Sequence, residues 1–198
     1  MTLTRRSALP IFAAGLVGPA HAREGRNSML EALYAENPDP ARAEKLRLYD
    51  RFVGSWDLDI DYHAPDGVTR SAPAEWHFAR VLDGKAVQDV WIFPSRRVRR
   101  EKPAEPWWFY GSTMRIYDPT IDAWHITYFE PTRPFTIRQI GRAAGPDIVQ
   151  MSDEIDGLIR RWRFVEITDH SFRWLGDATR DKGDTWTLEM EMRARRAG

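Results

Sequence analysis

From Gly54 to the end of the chain, apolar and polar residues alternate one by one in short segments, and clusters of turn-forming residues separate those segments. A side-chain period of two belongs to extended strands with one face buried and one solvated. The pattern starts with Trp56, Leu58, Ile60 and Tyr62 on one face and Asp57, Asp59, Asp61 and His63 on the other. Ala64-Pro65-Asp66-Gly67 supplies turn chemistry before a second strand that runs to Val81. Asp83-Gly84 is the strongest hairpin signal in the chain and leads into a third strand from Ala86 to Phe93. After a basic, proline-containing loop at 94–106, further strands are predicted near residues 108–117, 123–129, 135–142, 148–155, 158–167, 171–178 and 185–193. Ten strands joined mostly by tight turns, with no long helix between them, imply an all-β antiparallel meander. Closure into an up-and-down barrel would remove the exposed edges, and a two-sheet sandwich fits the same spacing.

The residues before this region divide in two. Thr4, Arg5 and Arg6 open a basic stretch, an apolar run follows from Ala8 to Val17, and Ala20-His21-Ala22 forms a small-x-small site. Residues 1–22 therefore read as a signal peptide, with paired arginines compatible with twin-arginine or ordinary export. The apolar run is too short for an integral membrane span. The expected location is periplasmic or secreted, with a slightly acidic mature chain once the leader is removed. Residues 23–53 form a helical N-terminal segment. Ser28-Met29-Leu30-Glu31 has the form of a capping box, and Leu30, Leu33 and Tyr34 share one helical face as far as Asn37-Pro38. Asp39 and Pro40 suit the start of a second helix carrying Leu46, Tyr49 and Val53, and the pair is predicted to act as a lid or plug. Residues 54–195 form the barrel domain.

Composition narrows the function. The chain has no cysteine, which excludes disulfides, thiol catalysis and cysteine-held zinc. Its 29 basic and 29 acidic residues cancel, so the positive field of a nucleic-acid-coating protein is missing. Nine tryptophans supply large surfaces for packing a barrel or lining a pocket. The expected partner is a small apolar or amphipathic molecule.

Candidate site residues come from the second and third strands. A two-residue turn at Asp83-Gly84 sets Trp76 opposite Trp91 and Phe78 opposite Asp89, with His77 facing Val90 and Glu75 facing Ile92 on the reverse side. Carrying the register through Ala64 and Gly67 puts Trp56 on the same side as Glu75, His77 and Gln88, which sends a polar set to the lumen. A carboxylate beside a histidine in an apolar barrel suits general acid–base work, so Glu75, His77 and Asp89 form an alternative, enzymatic site. No nucleophile motif, oxyanion hole or phosphate loop accompanies them, and catalytic residues are not assigned. His63, His77, His125 and His170 are scattered, so no metal site is predicted. The basic run Arg96, Arg97, Arg99, Arg100 and Lys102, followed by Trp107-Trp108, reads as a solvated loop at the barrel mouth, placed to gate ligand entry. Trp124, Trp162, Trp174 and Trp186 serve as core filling or cross-strand pairs.

The segment Phe52-Val53-Gly54-Ser55-Trp56 resembles the Gly-x-Trp start of lipocalin-like barrels, where a tryptophan on the first strand closes one end. Glu75-Trp76-His77-Phe78, Val81-Leu82-Asp83-Gly84-Lys85, Gln88-Asp89-Val90-Trp91, Tyr117-Asp118-Pro119 and Trp162-Arg163-Phe164 are similar to runs in DUF1579, a bacterial family of uncharacterised, lipocalin-like (calycin) domains. The resemblance spans residues 51–195 and departs at the turn 179–184, which is poorer in glycine here. It implies a fold and no activity. A ligand-holding barrel would use Trp56, Glu75, His77, Gln88, Asp89, Trp91, Trp124, His125 and Trp162 as its candidate binding residues. No cofactor is predicted. Haem is an option, because related barrels include haem binders with an axial histidine, a part His77 or His125 would take. A barrel filled by its own side chains and acting as an interaction module is the remaining alternative.

Overall fold

The computed structural model describes residues 27–198, so the leader at 1–22 lies outside the described residues. Two short helices, α1 (Ser28–Leu33) and α2 (Ala43–Asp50), precede β1 (Gly54–His63), β2 (Thr69–Val81) and β3 (Ala86–Phe93). A third helix, α3 (Arg96–Glu101), leads to β4 (Phe109–Asp118), β5 (Ala123–Glu130), β6 (Phe135–Ala144), β7 (Asp147–Ser152), β8 (Ile159–Val165), β9 (Ser171–Thr179) and β10 (Thr187–Arg196). Each strand pairs antiparallel with its neighbours in sequence, and β1 also pairs with β10, which closes a ten-stranded barrel. The sandwich alternative is thereby excluded. No described helix is long and apolar enough to cross a membrane.

Closure ties the two ends of the domain together. Trp56 lies opposite Arg196, whose guanidinium sits 4.2 Å from the indole ring and donates to the carbonyls of Arg51, Val53 and Asp169. The Trp56 indole N–H in turn donates to the Phe52 carbonyl at 2.7 Å.

The first turn overturns the predicted lumen. Asp83 and Gly84 both adopt positive φ, and the β2–β3 register sets Trp76 opposite Trp91 as expected. Between β1 and β2, however, Ala64 N–H donates to Val68 rather than facing Gly67, and Gly67 takes φ +79°. The extra left-handed residue shifts the register by one, so Trp56 pairs with Trp76 and not with Glu75. A one-residue shift exchanges the two faces of a strand. Trp56, Trp76, Phe78, Asp89 and Trp91 are therefore buried, while Glu75, His77 and Gln88 stand on the outer wall.

The helices also depart from expectation. Asn27, not Ser28, caps α1 by accepting from the Met29 N–H, and α1 buries none of its residues. Asp39 closes a separate turn by accepting from Ala41 and Arg42, and α2 begins only at Ala43. Of the pair, α2 alone is a plug: Leu46, Tyr49 and the following Phe52 are at most 1% exposed. The basic run is helical rather than a loop. Ser95 caps it, and Arg99 turns inward to donate to the carbonyls of Phe93, Pro94 and Phe109.

Candidate functional site

The two ends of the barrel are built differently. At the end plugged by α2, Phe52 packs on Phe164 and Phe172 with ring centres 4.8 and 4.9 Å apart, and Tyr49 meets Trp124 edge-on at 4.8 Å. Several polar groups buried here are paired, although the Trp76 indole N–H, Arg115 Nε and Gln150 Oε1 have no partner among the described residues. Arg115 Nη1 donates to Asp89 Oδ2 at 2.5 Å, Thr113 N–H donates to Asp89 Oδ1, and Gln150 Nε2 donates to the Tyr49 hydroxyl at 2.9 Å. Burial pushes the Tyr49 hydroxyl up to about 12, against the opposing charge of Arg115 and the bond from Gln150.

At the opposite end the inward side chains surround space. A cavity of about 680 Å³ opens between the strand ends, and Trp91, Phe109, Tyr128, Trp162 and Trp174 are among the side chains that wall it. No residue of the three helices lines it. Trp162 lies 5.3 Å from Trp174 and 5.6 Å from Tyr128, and Trp91 lies 5.0 Å from Phe109 (ring centres). Two glycines explain why the rings hug the wall. A Cβ at Gly111 would run into the Tyr128 ring and one at Gly176 into the Trp174 ring, so the missing side chains let both rings lie against their strands.

The mouth carries charge. Tyr128 donates to Glu130 Oε2 at 2.8 Å, and the Thr132 N–H donates to the other Glu130 oxygen at 3.0 Å. Burial, reinforced by the neighbouring Glu130 charge, raises the Tyr128 hydroxyl far above its ordinary value, so it stays a proton donor to that carboxylate. Arg160 faces Glu189 at 3.5 Å, and Asp181 accepts from the hydroxyls of Thr179 and Thr185. Arg133 differs from these. Its guanidinium lies 3.8 Å above the Phe109 ring, and its buried Nε and Nη2 have no hydrogen-bond partner among the described residues. The buried Trp91 indole N–H has none either.

Of the predicted binding residues, Trp91 and Trp162 line this cavity. Trp56, Asp89 and Trp124 point inward but are packed into the plugged end, away from the opening. Glu75, His77, Gln88 and His125 are on the outer wall. Gln88 bonds to Ser112, and His125 sits 2.9 Å from Asp118 while 56% exposed. Neither His77 nor His125 reaches the interior, which removes both residues named for an axial haem bond.

The acid–base cluster is split by the wall as well. Asp89 faces Arg115 inside. Glu75 and His77 meet outside, where His77 contacts Ser55 and Glu75, and Glu75 accepts from the Arg96 backbone and guanidinium. Burial works to raise the Glu75 carboxyl, and the His77 and Arg96 hydrogen bonds outweigh it, leaving a net lowered pKa suited to a salt bridge rather than to a general acid. The gating expectation for the basic run has no support, since α3 does not line the cavity.

Phe109, Tyr128, Trp174 and Arg133 were not singled out as ligand-binding residues from sequence. Trp174 had a usable signal, because it shares the inward parity of its strand with Gly176, whose lack of a side chain leaves room beside it. Arg133 had none: it sits in a turn flanked by Pro131 and Pro134.

No family model matches the chain, and no curated protein matches it. Solved structures do match. One is an S-type phycobiliprotein lyase, CPES, from Guillardia theta, with a TM-score of 0.52 and 13% identity over 81% of this chain and 99% of that one. At this identity the likeness is one of fold, the lipocalin-like barrel.

Proposed function

We propose that this protein holds a small apolar or amphipathic molecule in the open-end cavity. One observation carries the proposal: about 680 Å³ of lumen is left unfilled between aromatic walls, although the other end of the same barrel is packed solid. The volume falls in the ordinary range for small-molecule sites, and a few polar groups converge on it. A filled interaction module would lack such a space. The enzymatic alternative is disfavoured because its three residues do not meet.

The signal-like residues 1–22 add the proposal that the carrier is exported, and cleavage after Ala22 would appear as the mature N-terminus of protein recovered outside the cytoplasm. The DUF1579 resemblance fits a barrel of this kind and names no ligand.

The test is a fluorescence titration of the full chain with the neutral probe N-phenyl-1-naphthylamine. Saturable binding at one site per chain is expected, weakened about tenfold by Trp162→Ala through the lost wall contact. Thr187→Trp, which puts an indole into the cavity from its rim, should block binding without touching the core. Binding that is absent, or that ignores both substitutions, would sink the proposal.

A further inference from the structure

We propose that the cavity takes a ring-bearing carboxylic acid, with its carboxylate on the Nε–Nη2 edge of Arg133 and its flat apolar body between the aromatic walls. This rests on the cavity being a ligand site, and it adds the chemical class.

Arg133 is half-buried, and the two nitrogens without partners are the two that form one side of the guanidinium fork. N–H donors buried without acceptors are costly, and proteins rarely leave them so unless water or a ligand supplies the acceptor. The spacing of that edge matches the two oxygens of one carboxylate. The ring of Phe109 beneath the guanidinium holds its plane and partly balances its charge, so the fork is positioned before any ligand arrives.

The acids nearby are already committed. Glu130 is held by Tyr128 and Thr132, Glu189 faces Arg160, and Asp181 is held by its threonines. None of them forms an ion pair with Arg133 among the described residues. Arg180 also lines the cavity and has no ion pair among the described residues, so the carboxylate is assigned to Arg133 by its buried two-nitrogen edge and not by charge alone. The walls set the guest's character, because Trp91, Tyr128 and Trp162 line the cavity with aromatic surface, against which an apolar ring packs well.

The discriminating experiment compares 1-pyrenebutyrate with its uncharged methyl ester on the full chain at neutral pH, read by tryptophan quenching. The acid is expected to bind about tenfold more tightly than the ester. Arg133→Gln should weaken the acid far more than the ester and so abolish that difference, and Arg133→Lys, which keeps the charge and loses the fork, should restore only part of it. Arg133 makes no hydrogen bond among the described residues, so both variants are expected to fold. Equal affinity of acid and ester for the unmodified protein would overturn the inference and leave the cavity a ligand site. So would an Arg133→Gln variant that weakens both probes alike. If neither probe binds, the ligand-site proposal falls and this one falls with it.

Discussion

The two ends of the barrel are made from the same strands and the same residue types, and they do opposite things. β8 carries Phe164 into the packed end and Trp162 into the cavity wall, and β9 does the same with Phe172 and Trp174. One end is closed by α2, whose Leu46 and Tyr49, with Phe52 behind them, fill the space between opposing strands. No helical residue lines the other, and Gly111 and Gly176 let its rings fold back against the wall. Aromatic content alone therefore distinguishes neither a core from a pocket nor a stable end from a receptive one. Unpartnered buried polar atoms occur at both ends, Arg115 Nε and Gln150 Oε1 at the plugged one among them, but at Arg133 two neighbouring donors are left together beside open space.

The contrast can be broken most forcefully at the buried ion pair. Arg115→Met leaves Asp89 charged and unmatched in the core, and chemical denaturation should register a loss of roughly 3–5 kcal/mol. Truncations at equivalent strand positions sharpen the comparison. Phe164→Ala at the packed end should cost roughly 3–5 kcal/mol, and Trp162→Ala about 1–2 kcal/mol despite its larger ring, because one side already faces the cavity. Similar losses at the two sites would mean the open end is as well packed as the closed one.

A pH series tests the plug itself. The Tyr49 hydroxyl is held protonated up to about 12, against an ordinary value of 10.0, so the folded chain keeps a proton that the unfolded chain releases. Its contribution is complete below pH 10 and declines as pH rises through 12, by roughly 1.4 kcal/mol per pH unit and roughly 2–3 kcal/mol in all. Tyr49→Phe should make alkaline unfolding that much shallower, and an unchanged slope would place the hydroxyl in contact with water. The smallest effect is expected at the first turn. Gly67→Ala meets no neighbouring atom, so only the strain of its positive φ remains, roughly 1 kcal/mol by thermal melting with no change in ligand affinity.

That same glycine shows where sequence reasoning failed. Strand positions were legible to within a few residues because alternation and turn chemistry are local, and the Asp83-Gly84 register followed for the same reason. The face assigned to Glu75, His77 and Gln88 was wrong because Gly67 adds one residue to the loop, and parity carries that error into every later position on the paired strand. α3 was read as a loop because six residues with no buried side chain leave no periodicity to detect. Of the candidate site, Trp91 and Trp162 were legible as strand residues, and Arg133 was not.

The residue pattern by itself determined that this chain would form a meander of about ten strands, each with one face buried, since both period and turn propensity are properties of neighbouring residues. Tertiary structure decided the rest: which face of each strand is buried, closure of β1 onto β10, which of the two openings α2 fills, and that the buried Nε–Nη2 edge of Arg133 is left without a partner. A cavity is space that no segment occupies, and an unpaired charge is a contact that no segment supplies. Both depend on all the elements at once.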